Sequence, residues 1–367
     1  MKARVVLTGI AVAALGGVGP AGPADSPGCT AFTLRDGERT VVGRNLDWPI
    51  GLGAVLLNPR GVSKSALVAP SQHPASWVSR FASVTFTQFG REFPLGGMNE
   101  AGLVVEELSY GPARYPGTDG RPVLNELQWI QYHLDNFATV DEVVAAETSV
   151  RIVPVLFGLH YFVADAAGRS AVIEYLDGAS VVYAGEDLPV AVLSNDTYRN
   201  LLRYLGHHVG FGGTRAAGPG PEAPERFVRA AARIARMESA SPLDAPVDSA
   251  FAVLDDVAQD DTQWSIVYDP VHREVRYRTL GDRRTRSIRL QGRDLDCAGG
   301  ARGAPVDAWT TVSDPELAPW TSADNASLVA RVFQALSGLA DEPPPTGLGK
   351  ALADYPDRTA CAGAPRR

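Results

Sequence analysis

The sequence has 367 residues, of which 45% are hydrophobic and 21% are charged, and its formal net charge is −8. This composition is typical of a globular protein with enough apolar side chains for a large core, arranged as one large domain or two smaller ones. The basic residues are scattered along the chain, which argues against a nucleic-acid partner, because such a partner requires a clustered positive surface.

The N-terminal residues have the pattern of an export segment. Two early basic residues precede an apolar run that is short for a bilayer span, and a segment of small residues follows. We predict a signal peptide over residues 1–24, cleaved after Ala24, and a short propeptide over residues 25–28 in front of Cys29. One alternative is a retained membrane anchor, which is disfavoured because no charged cytoplasmic segment follows the run. The other is a lipid-modified Cys29, which is disfavoured because "DSPGC" lacks the usual preceding residues.

No other stretch of the sequence is long and apolar enough to span a bilayer. The sequence therefore predicts a secreted or periplasmic protein with no stable membrane anchor.

The sequence contains three cysteines, Cys29, Cys297 and Cys361. In an oxidising compartment an odd number leaves one thiol unpaired. The simplest arrangement is a disulfide between Cys297 and Cys361, which both lie in the C-terminal part, with Cys29 free. Three buried, reduced cysteines are the alternative.

The mature chain begins with a predicted β-hairpin. The segments "CTAFTLR" and "ERTVVGRNL" flank Asp36-Gly37, a dipeptide that favours a two-residue type I′ turn. Short turns that carry Gly, Asn or Asp join many of the later strand candidates, and this pattern indicates mostly antiparallel sheets. These candidates cover residues 82–89, 101–110, 158–166, 169–178, 179–185, 190–195, 263–269, 274–280 and 286–292.

The predicted helices come in blocks between blocks of strands. The first covers residues 123–137, where Leu124, Leu127, Ile130 and Leu134 fall on one face. The next begins at "TVDEVVAAE", whose Thr and Glu have the spacing of a capping box. Further helices are predicted over residues 197–205, 225–237, 247–259 and 325–336, and a long Gly- and Pro-rich loop over 206–224. This order favours an α+β layered fold over a doubly wound parallel sheet.

The first hairpin brings chemistry to Cys29. If Asp36 and Gly37 are the two turn residues, Cys29 pairs with Arg44, and directly paired residues have Cβ atoms about 4.5–5.5 Å apart. A cation beside a thiol lowers its pKa and increases the thiolate fraction. Cleavage before Cys29 would also expose an α-amine, which can serve as the general base for its own thiol, and Asp47 would orient that amine.

Two alternatives to this interpretation remain open. Cys29 is a buried structural cysteine in the first, with Arg44 and Asp47 forming a surface salt bridge. In the second, the register of the hairpin slips by one residue and moves Arg44 to the opposite face of the sheet.

The stretch "CTAFTL...VVGRNLDWP" resembles the N-terminal motif of the choloylglycine hydrolase family, the linear amide C-N hydrolases that include bile salt hydrolases and penicillin V acylases. Four later stretches are similar to further motifs of that family, in the same order: "GGMNEAGL" at 96–103, "VLSND" at 192–196, "ERFVRAA" at 225–231 and "QWSIVYD" at 263–269. The resemblance implies an N-terminal-nucleophile hydrolase domain over residues 29–300, a four-layer αββα sandwich of antiparallel sheets. Residues 301–367 then form a partly helical C-terminal extension.

The resemblance also implies roles for individual residues. It makes Cys29 the nucleophile, Arg44 the arginine beside the thiol and Asp47 the partner of the new amine. It assigns the oxyanion hole to Asn99 and Asn195, and an active-site role to Arg226. For these last three, the alternatives are a turn residue with positive φ at Asn99, a helix N-cap at Asn195 and a solvent-facing helix position at Arg226. Trp48 is a candidate for the wall of the acyl pocket, or for the core.

The implied function is an exported cysteine hydrolase that matures by autoproteolysis and cleaves a small-molecule linear amide through an acyl-thioester. No cofactor is expected, and His207 and His208 lack the spaced partners of a metal site. His160 is interpreted as a core histidine rather than a base. The export segment and the tail favour a penicillin V acylase-like subgroup over cytoplasmic bile salt hydrolases.

The alternatives are an N-acyl homoserine lactone acylase, a Cys-His thiol protease, whose papain-like signature is absent, and a non-catalytic exported binding protein on the same fold. The sequence leaves the acyl group open, and it leaves open a homo-oligomer.

Overall fold

The structure, a computed structural model, describes residues 28–37, 39–308, 313, 317–339 and 345–363. The predicted signal peptide, residues 1–24, and residues 25–27 of the predicted propeptide lie outside the described residues. Among the helices that are described, none is long and apolar enough to cross a membrane.

The strands of the described part are short and numerous. They are β1 Thr30–Asp36, β2 Arg39–Asp47, β3 Ala54–Asn58, β4 Val62–Ser65, β5 Ser76–Val78, β6 Ser83–Thr87, β7 Gly96–Asn99, β8 Val104–Ser109, β9 Val123–Leu124, β10 Arg151–Ile152, β11 Leu159–Ala164, β12 Ser170–Leu176, β13 Ala179–Ala184, β14 Val192–Ser194, β15 Thr262–Asp269, β16 Glu274–Thr279, β17 Arg286–Arg289, β18 Arg302–Pro305, β19 Ala318–Pro319 and β20 Ala360–Cys361. The α-helices are α1 Glu126–Asn136, α2 Val140–Ala146, α3 Tyr198–Leu205, α4 Ala223–Ser239, α5 Pro246–Val257, α6 Ser322–Ser337 and α7 Leu348–Ala353.

Two antiparallel sheets form the centre of the fold. The six-stranded sheet has the order β14-β1-β2-β15-β16-β17, and the nine-stranded sheet has the order β13-β12-β11-β8-β7-β6-β3-β18-β19. The sheets pack face to face through buried aromatic side chains, such as Phe86 on β6 and Tyr277 on β16, whose ring centroids lie 5.1 Å apart. Helices α4 and α5 pack on the six-stranded sheet, and α1 and α2 pack on the nine-stranded sheet. The predicted α+β class and four-layer αββα sandwich are confirmed.

The predicted helices form, with small shifts at their ends. Helix α1 begins at Glu126 because the side chain of Asn125 accepts a hydrogen bond from Gln128 N and caps it, while Leu124 belongs to β9. Thr139 and Glu142 make the predicted capping box at the start of α2.

The register of the first hairpin differs from the prediction by two residues. Asp36 pairs with Arg39, so Ala31, and not Cys29, lies opposite Arg44. Asp36 ends the strand instead of forming the turn, because its carboxylate accepts hydrogen bonds from Ser241 Oγ and Leu243 N. Gly37 takes φ +63° in the turn, and Glu38, the predicted partner of Arg35, lies outside the described residues. A shift of two residues keeps each side chain on its face, so Arg44 remains within diagonal reach of Cys29.

The chain after residue 300 adds to the same layered structure. Strand β18 pairs with β3 in the nine-stranded sheet, and α6 buries Val329 and Val332. Strand β20 pairs with β4, and a disulfide joins Cys297 to Cys361, as expected. Cys29 is the free cysteine.

Candidate active site

Cys29 lies directly before β1, a strand of the six-stranded sheet that contacts β8 and β11 of the nine-stranded sheet. Its side chain is buried, with 2% of the residue exposed. Arg44 on β2 approaches it from the diagonal position, with Nη2 3.9 Å from Sγ. The predicted neighbourhood of the two side chains is therefore present, although the predicted direct pairing was wrong.

The thiol of Cys29 is protonated in the uncleaved chain. Burial raises its pKa to about 12, and Arg44 lowers it by less, while Glu107 and Asp47 raise it further. Arg44 lowers the pKa of the thiol, as expected, but in the uncleaved chain the loss of solvation outweighs the attraction of the guanidinium.

Asp47 lies at the end of β2, opposite Thr262 on β15. Its Oδ2 accepts a hydrogen bond of 2.8 Å from Gln259 Nε2, and its Oδ1 accepts one from Thr262 Oγ1. Burial raises the pKa of Asp47 to about 6, although these hydrogen bonds lower it. The buried carboxyl therefore has partners that fix its orientation next to Cys29.

Gln259 connects Asp47 to the peptide bond in front of Cys29. The same Nε2 donates a second hydrogen bond, of 2.9 Å, to the carbonyl oxygen of Gly28. A Cβ on residue 28 would lie 2.3 Å from this nitrogen, so a larger residue there would require the Gln259 side chain to move. Sequence reasoning missed Gln259, because it lies just before the motif "QWSIVYD" and has no signature of its own.

Arg226 and Asn195 meet on the other side of Cys29. Arg226 enters from α4, is 2% exposed, and donates from Nη2 to the Cys29 carbonyl oxygen at 3.1 Å and to Asn195 Oδ1 at 2.7 Å. Asn195 Nδ2 donates one hydrogen bond to Ser109 O at 2.8 Å. The solvent-facing alternative for Arg226 is wrong. The N-cap alternative for Asn195 is also wrong, since Thr197 caps α3.

Asn99 does not join this group. Its Nδ2 donates to Leu134 O and Phe137 O, and its backbone N donates to Leu103 O, so its N–H groups already have acceptors. Ser109 is the sixth and last residue of β8, about 20 Å along the strand from that turn. The structure therefore gives Asn99 a turn role and not the predicted oxyanion role. The positive φ of the turn falls on Gly102, which also corrects the φ alternative for Asn99.

Trp48 follows Asp47 and is half-buried. Its indole ring meets Phe157 edge to face, with ring centroids 6.1 Å apart, and Phe157 in turn contacts Phe89. These three rings form an aromatic cluster, and Trp48 connects it to Asp47, its neighbour in the chain. This placement accommodates both the predicted pocket role and the core alternative.

His160 lies in the core, and the described residues contain no metal-binding cluster. His160 is fully buried on β11, stacks on Tyr110 and has Nδ1 3.5 Å from Glu174 Oε1, which agrees with its interpretation as a core histidine. Within the described ranges, no three His, Cys, Asp or Glu side chains are grouped so that they could hold a metal ion.

The sequence and the structure are both similar to those of known proteins. The family of linear amide C-N hydrolases, choloylglycine hydrolase family, matches residues 29–301. Penicillin V acylase of Pectobacterium atrosepticum is 30% identical over 229 residues, which cover 57% of this chain and 60% of that protein. The chain thus spans less than two thirds of the length of this curated relative.

Two groups of solved structures share the fold. Penicillin V acylase from Agrobacterium tumefaciens is 27% identical with a TM-score of 0.70, covering 80% of this chain and 98% of that one. Conjugated bile acid hydrolase from Clostridium perfringens is 18% identical with a TM-score of 0.63, covering 78% of this chain and 99% of that one. At that lower identity the likeness concerns the fold alone.

Proposed function

The chain belongs to the choloylglycine hydrolase family of linear amide C-N hydrolases, and we propose that it hydrolyses a small linear amide with Cys29 as the nucleophile. The proposal is carried by one observation: four side chains converge on Cys29, namely those of Arg44, Asp47, Arg226 and Gln259. Gln259 also binds the carbonyl oxygen of the peptide bond before Cys29.

Maturation is the first step of the proposal. The Cys29 sulfur attacks the carbonyl carbon of Gly28, the thiol proton passes to the Cys29 nitrogen, and the peptide bond becomes a thioester with a free α-amine. Water then hydrolyses the thioester, which releases the Gly28 carboxylate and restores the thiol. Gln259 Nε2 already donates to the oxygen on which negative charge develops in this attack.

Turnover uses the same atoms. The α-amine takes the thiol proton, the thiolate attacks the amide carbonyl, and Asn195 offers its remaining amide hydrogen to the oxyanion. The protonated α-amine then gives its proton to the leaving nitrogen, and an acyl-thioester remains on Cys29. The amine next removes a proton from a water molecule, which attacks the thioester and frees the carboxylic acid.

We also propose export of the protein and removal of the predicted signal peptide. The Cys297–Cys361 disulfide supports this proposal, because disulfides form and persist in oxidising compartments. The penicillin V acylase similarity makes an aryloxyacetyl amide the first substrate to test, and Trp48 with its neighbouring rings would contact such an acyl group.

The test combines mass and turnover. We expect the purified secreted protein to begin at Cys29, and a substrate in slow turnover to add its acyl mass to that residue. The substrate panel contains phenoxyacetyl, bile-acid and long-chain homoserine-lactone amides, so the profile selects among the acyl groups. Cys29→Ala serves as the matched inactive variant. A wild-type chain that retains Gly28 yet hydrolyses amides would contradict the mechanism, and a protein that binds but never cleaves would be the non-catalytic alternative.

A further inference from the structure

A single guanidinium faces two buried carboxyl groups next to the proposed nucleophile. Arg44 Nε lies 2.9 Å from Glu106 Oε2, and Arg44 Nη2 lies 2.8 Å from Glu107 Oε1. The side chains of Arg44 and Glu106 are completely buried, and that of Glu107 is 7% exposed. The Arg44 Nη2 that binds Glu107 is the same atom that reaches the Cys29 sulfur.

The charges of this cluster do not balance if both carboxyls are ionised. Two carboxylates and one guanidinium carry a net charge of −1, and an unpaired buried charge is costly. One added proton makes the cluster neutral. Two carboxyls that share a site with a single cation hold that proton readily, because ionising the second one opposes a like charge.

The geometry distinguishes the two carboxyls. Glu107 accepts a hydrogen bond from Arg44 Nη2, and its backbone oxygen accepts another from the same nitrogen. Glu106 lies near Arg44 Nε without hydrogen-bond alignment, and its other oxygen contacts the Tyr268 hydroxyl. Glu107 is therefore the better placed anionic partner, and Glu106 is the better placed proton carrier.

The surroundings of Glu106 are built for its carboxyl group. A Cβ on Gly96 of the neighbouring β7 would lie 2.0 Å from Glu106 Oε2, so the glycine leaves the space that the carboxyl occupies. The titratable groups facing it are Arg44 on β2, Tyr268 on β15 and Glu107 on its own strand. Burial raises the pKa of Glu106 to about 8, although Arg44 and Tyr268 lower it.

We propose that Glu106 is a positioning residue that carries a proton at neutral pH, which leaves Glu107 as the sole anionic partner of Arg44 and keeps the cluster neutral beside Cys29. This inference rests on the proposed role of Cys29. When the proton leaves at alkaline pH, the cluster gains a negative charge, and the thiolate of Cys29 becomes harder to form.

The test is the rate at which iodoacetamide alkylates Cys29 of the processed protein, followed by intact mass from neutral to alkaline pH. The rate depends on the thiolate and not on amide turnover, so its outcome is separate from that of the substrate panel. The α-amine of Cys29 titrates together with the thiol in every variant. We expect the wild-type rate to show one step more than that of Glu106→Gln, because ionisation of Glu106 delays that of the thiol.

The paired variants decide which carboxyl matters. In Glu107→Gln, Glu106 ionises and replaces the missing partner, so each single variant changes alkylation at neutral pH only modestly. The double variant leaves Arg44 without an anion and the cluster with a net charge of +1, which favours the thiolate, so we expect its rate to rise about tenfold above the product of the two single effects. If Glu106→Gln alone matches the double variant, Glu106 is the ionised partner and the proposal is wrong.

A second variant covers the case in which Glu106→Gln does not fold. Tyr268→Phe removes the hydroxyl that contacts Glu106 and lowers its pKa. We expect the alkaline step of alkylation to move to higher pH in this variant. An unchanged step, or a step at lower pH, would overturn the assignment to Glu106.

Discussion

At the scale of single residues, Gln259 contacts the peptide bond whose cleavage we propose before Cys29. Its Nε2 links the Gly28 carbonyl oxygen to the Asp47 carboxyl, at 2.9 and 2.8 Å. Replacing Gln259 with Leu removes a donor from the place where negative charge develops during maturation. We expect Gln259→Leu to slow the removal of the residues before Cys29 by about a hundredfold, measured by mass over time.

Gln263→Leu is the matched control for this experiment. Gln263 lies on β15, four residues further along, and its side chain lies beside Gly51 rather than Gly28. We expect it to mature at the wild-type rate. Equal maturation of both variants would remove Gln259 from the mechanism.

The sequence predicts the residues around Cys29 that belong to recognisable motifs, and it misses those that arrive through packing. Arg44, Asp47, Asn195 and Arg226 are brought together as expected. Gln259 is invisible in the sequence because its role depends on where α5 ends relative to β2. Asn99 was misassigned because a turn motif does not reveal whether its amide already has acceptors.

At the scale of the elements, the N-cap of α3 fixes the segment that presents Asn195. Thr197 lies two residues after Asn195, and its Oγ1 accepts a hydrogen bond from Asn200 N. We expect Thr197→Ala to lower the free energy of unfolding by about 1 kcal/mol. We also expect a lower kcat, because Asn195, the proposed oxyanion donor, is held less firmly.

Thr139→Ala is the control, since Thr139 caps α2 in the same way and has no contact with Cys29. It should lose a similar free energy of unfolding, measured by urea denaturation, and keep its kcat. If both variants lose kcat equally, the effect comes from general destabilisation and not from Asn195.

The elements also show why pattern alone leaves the register open. The alternation of apolar and polar residues and the Asp36-Gly37 pair predicted a hairpin at the right place. They could not reveal that Ser241 and Leu243 donate hydrogen bonds to Asp36 and keep it in the strand. Strand β18 was missed for a related reason. Its residues "RGAP" lack strand character, and only the free edge of β3 makes them extended.

At the scale of the whole molecule, the Cys297–Cys361 disulfide ties the last described strand to the body of the protein. It spans 64 residues, including α6 and α7. The chain-entropy relation for a loop of this length gives a stabilisation of about 4 kcal/mol. We expect the double variant Cys297→Ala/Cys361→Ala to lose up to this amount in urea unfolding and to keep its alkylation of Cys29.

Reductant provides the control for this prediction. It should destabilise the wild type and the Cys29→Ala variant alike, and it should leave the double variant unaffected. If reductant leaves the urea midpoint of the wild-type protein unchanged, the disulfide does not contribute to its stability.

The burial of Cys29 has a consequence for how the protein is best produced. The chain needs one pair of thiols oxidised and one thiol kept free, and an unfolded chain in an oxidant can join any two of the three. In the folded chain Cys29 is buried, with 2% of the residue exposed, and Cys297 and Cys361 lie side by side. Refolding should therefore begin from the fully reduced chain, with glutathione disulfide added only after the core has formed. The folded structure then determines that Cys297 and Cys361 form the disulfide.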